Sequence, residues 1–165
     1  MNSEMRVRGE TRETLDLSDL VSSQYRTFLL FPSSNATELN QNFLVQGDRV
    51  ESCDKAIELE PKIKKPIQLI VPDGNWRQAS KVHYRHHELC NVPRVMIGNP
   101  GTSKYRLRHE HTGHGMATLE AIAHALGVIE GEAVKIQLMK LYRAKLEATL
   151  IGRGQAVGKI LPGQN

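Results

Sequence analysis

Cysteine is scarce in this 165-residue chain, which has only Cys53 and Cys90. They lie far apart and form no C-x-x-C, so they supply neither a disulfide framework nor a zinc set. No apolar run approaches the length of a membrane span, and nothing resembles a signal peptide. A cytoplasmic protein with reduced thiols and no membrane segment is therefore the expectation. Aromatic residues make up 5% of the chain, and Trp76 is the single tryptophan. It reads either as a core anchor or as a stacking surface. G-x-G-x-x-G and the P-loop are missing, so nucleotide triphosphate binding has no motif behind it. Ser33, Ser80 and Ser103 lack a G-x-S-x-G context, which leaves a hydrolase triad unsupported.

The net charge is +4, but it is unevenly spread. Residues 1–60 hold 11 Asp/Glu against 6 Lys/Arg, whereas residues 77–108 hold 7 Lys/Arg against Glu88 alone. Such a basic stretch suits either a polyanion-binding face or a solvated helix face. His83, His86 and His87 fall in it, and His109, His111 and His114 come after it. On a continuous helix His83 and His87 share a face. No third ligand has a familiar spacing and H-E-x-x-H is absent, so no metal site is assigned.

Residues 1–24 form a polar lead-in. Thr27 to Phe31 is an apolar run stopped by Pro32-Ser33, a strand followed by a turn. Ala36 to Leu44 reads as a short helix, and a strand is placed around Ala56 to Leu59. Ile67 to Val71 reads as a second strand, apolar enough to suggest a sheet covered on both faces. The pattern then predicts one helix from Asn75 to about His87, capped by Asn75 or Asp73, with Trp76, Ala79 and Val82 or His83 on one face. A third strand, Val92 to Ile97, ends at Gly98-Asn99-Pro100-Gly101. Thr118 caps a helix carrying Leu119, Ile122, Ala123 and Leu126 on one stripe and Glu120 in its first turn, with Gly127 and Gly131 punctuating its end. A last helix places Val134, Leu138, Leu141 and Lys145 on one face, before a Gly-rich tail over residues 152–165.

This alternation of strand and helix argues for α/β with a mainly parallel sheet. Ligands of such sheets lie beyond the carboxyl ends of the strands. Pro32-Ser33, Asp73-Gly74 and Gly98-Asn99 are all strand-end loops by this reading. Asp73 itself admits two roles, a turn or capping residue and a carboxylate at the mouth of a site. Tyr105-Arg106-Leu107-Arg108 alternates, so one arginine can face a ligand while the other faces solvent or RNA.

Five segments in register resemble the DTW-domain family: F-L-L-F-P-S at Phe28 to Ser33, P-D-G-N-W-R-Q-A at Pro72 to Ala79, P-R-V at Pro93 to Val95, Y-R-L-R at Tyr105 to Arg108, and A-T-L-E-A at Ala117 to Ala121. The resemblance covers about Arg26 to Leu150 and makes residues 25–151 the catalytic domain. It implies a SPOUT-like α/β fold, a mainly parallel sheet flanked by helices, knotted near the cofactor site. It implies a tRNA-uridine aminocarboxypropyltransferase that moves the 3-amino-3-carboxypropyl group of S-adenosylmethionine to N3 of a tRNA uridine and releases methylthioadenosine. Two alternatives stand beside it: an S-adenosylmethionine-dependent RNA methyltransferase of the same fold, and a non-catalytic RNA-binding module. The family's usual Asp-x-Thr-Trp is Asp73-Gly74-Asn75-Trp76 here, its usual Ser-Thr is Ala117-Thr118, and its cysteine-rich, zinc-binding leading segment has no counterpart in this sequence.

The roles implied by the resemblance are specific. Asp73 is the candidate base for the N3 proton, and partial burial beside Trp76 would strengthen it. The cofactor-binding candidates are Pro32, Ser33, Gly74, Trp76, Gly98, Tyr105, Arg108, Thr118 and Glu120. Arg108 suits a bidentate contact to the methionine carboxylate, and Thr118 with the first amides of its helix suits the same anion. Arg77, Lys81, Arg85 and Arg106 are the candidates for RNA phosphates. The sequence sets no oligomeric state.

Overall fold

A computed structural model of the chain describes residues 3–7, 15–46, 65–98 and 116–154. The fold is mixed α/β, with two compact units, Met1–Phe31 with Leu59–Arg94 and Pro32–Glu58 with Val95–Asn165. The expected strand at Ala56 to Leu59 and the Gly-rich tail beyond Gly154 lie outside the described residues.

In the first unit, the run Thr27-Phe28-Leu29-Leu30 forms β1 (Arg26–Leu30), and Phe28, Leu29 and Leu30 are buried. It pairs in parallel with β3 (Ile67–Ile70), Arg26 opposite Ile67 and Leu29 opposite Ile70. Across that pair the Thr27 hydroxyl lies 2.9 Å from Gln68 Oε1. Leu29 N–H also donates to the Pro93 carbonyl, 2.9 Å away at the entrance to β4 (Arg94–Met96). Leu29 belongs to a core with Leu17, Leu89 and Val92, against which Leu15, Leu20, Ile70 and Val82 pack. All four residues of β3 are only half-buried, so the expectation of a strand covered on both faces is wrong. Among the described strands β3 is hydrogen-bonded to β1 alone, so it lies at an end.

The single helix expected from Asn75 to His87 is instead three short pieces: α2 (Trp76–Ala79), α3 (Val82–Arg85) and a 3₁₀ turn at His87–Leu89. Ser80 and Lys81 interrupt it, the Ser80 hydroxyl donating to the Arg77 carbonyl at 3.3 Å. The inward face survives the break, because Ala79, His83, His86 and Leu89 are all buried. Their steps of four, three and three residues average less than an α-helical turn, as tightening toward 3₁₀ geometry requires.

In the second unit, β2 (Thr37–Glu38) pairs in parallel with β4, Thr37 opposite Val95. The short helix expected over Ala36 to Leu44 begins later, as α1 (Gln41–Gln46). Asn40 caps it, its Oδ1 accepting the Phe43 N–H at 2.9 Å, and just before it Leu39 N–H donates to the Met96 carbonyl of β4 at 2.8 Å. Two long helices complete the unit, α4 (Thr118–Glu130) and α5 (Glu132–Gly152), separated by Gly131 alone. Gly131 has φ +109°, a left-handed conformation that favours glycine and ends α4 in one residue. Gly127 does not punctuate the end of α4; it lies inside that helix, close against Lys135 of α5. Leu119 and Met139 pack on Tyr142, Leu146 and Leu150, which bury one face of α5 at a spacing of four. The face expected from the sequence is met only in part: Val134 and Leu138 are half-buried, whereas Leu141 is 60% exposed and Lys145 is exposed. No helix among the described residues is long and apolar enough to cross a membrane.

Candidate functional site

Asp73 comes three residues after β3, at the carboxyl end of a parallel strand, and it is exposed. The partial burial expected for it is not observed. Gly74 has φ +150°, and a Cβ there would come within 3.1 Å of Gln78 Oε1. That oxygen is already engaged. Asn75 N–H donates to Gln78 Oε1 at 3.1 Å, and Gln78 N–H donates to Asn75 Oδ1 at 2.9 Å. The two side chains form a reciprocal capping box that starts α2 and fixes the loop presenting Asp73. Asn75, not Asp73, is the cap, and its amide oxygen takes the place of the hydroxyl oxygen usual in the family.

Asn75→Ala should lower stability by about 1 kcal/mol, read from the urea midpoint. Asn75→Thr keeps a capping oxygen and should stay within roughly 0.5 kcal/mol of the parent. If threonine costs as much as alanine, the box does not set the loop.

Arg77, Lys81 and Arg85 are exposed on the α2–α3 segment and form no ion pair among the described residues. Glu88, three residues after Arg85, accepts the Leu17 N–H at 3.3 Å. The histidines do not align as a continuous helix would place them: His83 and His86 point inward, and His87 is exposed. Burial, and then the charge of Arg94, lowers the His83 pKa below the ordinary histidine value, which favours the neutral ring. Its Nε2 is buried with no hydrogen-bond partner among the described residues. No group of three or more His, Cys, Asp or Glu able to hold a metal ion occurs among the described residues.

The other candidates, Trp76 apart, lie in the second unit. Pro32 is exposed just after β1, and Ser33 is half-buried. The Ser33 hydroxyl oxygen is fully buried and has no hydrogen-bond partner among the described residues. Gly98 is half-buried two residues after β4, and the Glu38 carboxylate lies where a side chain on Gly98 would be. Thr118 is not the cap of α4. Ala117 holds that position with φ −67° and ψ 148°, and Thr118 is the first helical residue. Glu120 is buried in the first turn, where the helix dipole favours its charge. Trp76 opens α2, but its side chain is outside the described residues, as are Tyr105, Arg106 and Arg108.

Asp73, Gly74, Arg77, Lys81 and Arg85 are thus brought together on one loop and the two short helices after it. Pro32, Ser33, Gly98, Thr118 and Glu120 belong to the other unit. Sequence reasoning missed the pairing of Asn75 with Gln78, although N-x-x-Q at a helix start is its signature. It also missed Glu38 against Gly98, a contact between distant positions that no local pattern signals.

A DTW-domain family model matches residues 1–150. The chain is 26% identical over 104 residues to a protein of Macaca fascicularis named tRNA-uridine aminocarboxypropyltransferase 2, covering 63% of this chain and 30% of that protein. It is 29% identical over 105 residues to the Mus musculus protein of the same name, with the same shares covered. A Drosophila melanogaster protein of that name is 27% identical over 119 residues, 72% of this chain and 40% of its own length. The chain therefore spans 30% to 40% of the length of these curated relatives. No solved structure matches it.

Proposed function

The chain belongs to the DTW-domain family, and from that premise we propose that it transfers the 3-amino-3-carboxypropyl group of S-adenosylmethionine to N3 of a tRNA uridine. The names of the relatives support the reaction class and the tRNA substrate. The observation that carries the site is Asp73, an exposed carboxylate at a strand's carboxyl end, on a capped loop that continues into Arg77, Lys81 and Arg85. A SPOUT-like arrangement with a knotted cofactor loop is part of the same reading.

The donor, when bound, supplies an electrophilic carbon beside a positively charged sulfur that leaves readily. The residues present fit such a group. Ser33 has a buried hydroxyl without a partner among the described residues, at the end of a parallel strand where α/β ligands lie. Glu120 and Thr118 are at the start of a thirteen-residue helix. We assign donor contacts to Pro32, Ser33, Gly74, Trp76, Gly98, Tyr105, Arg108, Thr118 and Glu120. Asp73 takes the N3 proton, so that the nitrogen lone pair can form the new N–C bond as the C–S pair returns to sulfur. Arg77, Lys81, Arg85 and Arg106 hold phosphates, and that grip fixes the in-line approach on which the rate depends. RNA laid over the exposed Asp73 excludes water from it at that moment.

The test is incubation of the full chain with unmodified tRNA and S-adenosylmethionine, then mass spectrometry of nucleosides and cofactor products. Aminocarboxypropyl-uridine and methylthioadenosine are expected in equal amounts. S-adenosylhomocysteine in their place would establish methyl transfer, and RNA binding without turnover would establish a binding module; either result overturns the proposal.

A further inference from the structure

Tyr84 has no role in the proposed reaction, yet it is the most conspicuous side chain on the basic segment. It is 80% exposed in the middle of α3. An aromatic ring left in water contributes little to the fold, so packing does not account for its presence. One of its neighbours supports it from behind. The ring of buried His83 lies 3.8 Å from the Tyr84 ring, centroid to centroid, at an interplanar angle of 41°. Two cations are close to it in sequence. Lys81 lies one turn before Tyr84, whose N–H donates to the Lys81 carbonyl at 3.1 Å, and Arg85 is the next residue. Neither cation forms an ion pair among the described residues.

A supported, solvent-facing aromatic ring between such cations has the two parts of a single-strand binding surface. The ring offers a stacking face that any base can use, and the cations track the backbone. The reaction chemistry makes such a platform useful. Uridine N3 is on the Watson–Crick edge, so the target nucleotide must be unpaired or extruded before Asp73 can reach it. Extrusion leaves the neighbouring base with a bare face. Tyr84 lies eleven residues after Asp73, on the segment that also carries the assigned phosphate contacts.

We propose that Tyr84 is a stacking platform for an unpaired base of the RNA, adjacent to the uridine that Asp73 acts on. The proposal rests on the tRNA reading. It adds that recognition on this face needs an unstacked base and not only phosphate charge.

Stacking and charge have different signatures. With the full chain, Tyr84→Ala should weaken binding of unmodified tRNA and of a short single-stranded RNA by about tenfold. The dependence of binding on salt should keep its slope, because no cation has been removed. Tyr84→Phe should bind within about twofold of the parent, since stacking needs the ring and not the hydroxyl. Tyr84→Leu, apolar but without a π face, should resemble alanine. Arg85→Ala should reduce the salt slope by about one. Binding of a blunt RNA duplex of equal charge should not respond to Tyr84→Ala. Thermal melts of each variant confirm that the fold is kept, as expected for so exposed a position.

Unchanged single-strand binding by Tyr84→Ala overturns the platform, as does a phenylalanine variant as weak as alanine or an equal loss on duplex. The outcomes separate the two layers of inference. Transfer with no Tyr84 effect rejects the platform and leaves the reaction standing. A Tyr84 effect without transfer rejects the reaction and leaves the platform standing. A parent chain that binds no RNA rejects both.

Discussion

Asp73→Ala is expected to lower the rate of aminocarboxypropyl transfer by about 10²- to 10⁴-fold, the usual range for loss of a positioned general base. Binding of S-adenosylmethionine and of tRNA should change little, because the assigned donor contacts and phosphate contacts are other side chains. The fold should persist. Asp73 is exposed, and the start of α2 is held by the reciprocal bonds of Asn75 and Gln78. Asp73→Asn refines the assignment. The amide matches the carboxylate in size and still accepts a hydrogen bond to orient the uridine imide, but it cannot take the N3 proton. If Asp73 acts as the base, asparagine is as poor as alanine. If it only orients the substrate, asparagine retains much of the rate. Single-turnover rates at saturating tRNA and donor make the comparison, since they separate chemistry from binding. Parent-like rates in both variants would end the assignment of Asp73 to the reaction.

Much of what surrounds that carboxylate is legible in the sequence, and the exceptions have common causes. β1 and β3 are readable because short apolar runs bounded by Pro32 and by Pro72-Asp73-Gly74 have few other ways to fold. The start of α2 is readable because Asn75 is a strong cap. The path from Ala79 to Leu89 is not. The period that suggests one helix to His87 is nearly satisfied by three pieces, since Ala79, His83, His86 and Leu89 reach the interior in either case. Sequence periodicity cannot separate a helix from a slightly tightened chain with the same inward face. Thr118 failed as a cap for a similar reason: the helix starts at that residue, so Ala117 occupies the cap, a one-residue shift that composition does not resolve. The exposure of Asp73 depends on the path of the turn after β3. The role given to it did not come from spacing at all, because an Asp-Gly turn is commonplace. It came from neighbouring segments standing in register.

The clearest test of the fold is in α5, where two nearby leucines of one helix differ sharply in burial. Val134 and Leu138 are half-buried and continue at a spacing of four into the buried Tyr142, Leu146 and Leu150, whereas Leu141 lies off that stripe. Tyr142, Leu146 and Leu150 pack against Leu119 of α4 and Met139 of α5 itself. Leu146 is 2% exposed and Leu141 is 60% exposed, five residues apart in the same helix. Helix propensity is the same for both leucines, so a difference between their alanine variants reports packing alone. Leu146→Ala removes buried methyl groups and leaves a cavity, and it should cost about 2 to 5 kcal/mol. Leu141→Ala removes a side chain largely in water already and should stay within roughly 0.5 kcal/mol of the parent. Urea unfolding monitored by circular dichroism makes the comparison, with equal m-values as the condition that both variants unfold the same structure. Against a total stability of about 5 to 15 kcal/mol, the loss at Leu146 is a large fraction, and that variant should be visibly less stable at physiological temperature. The opposite order, with Leu141 the costly position, would mean that α5 presents its other face to α4, and the packing of Leu119 on Tyr142, Leu146 and Leu150 would be wrong.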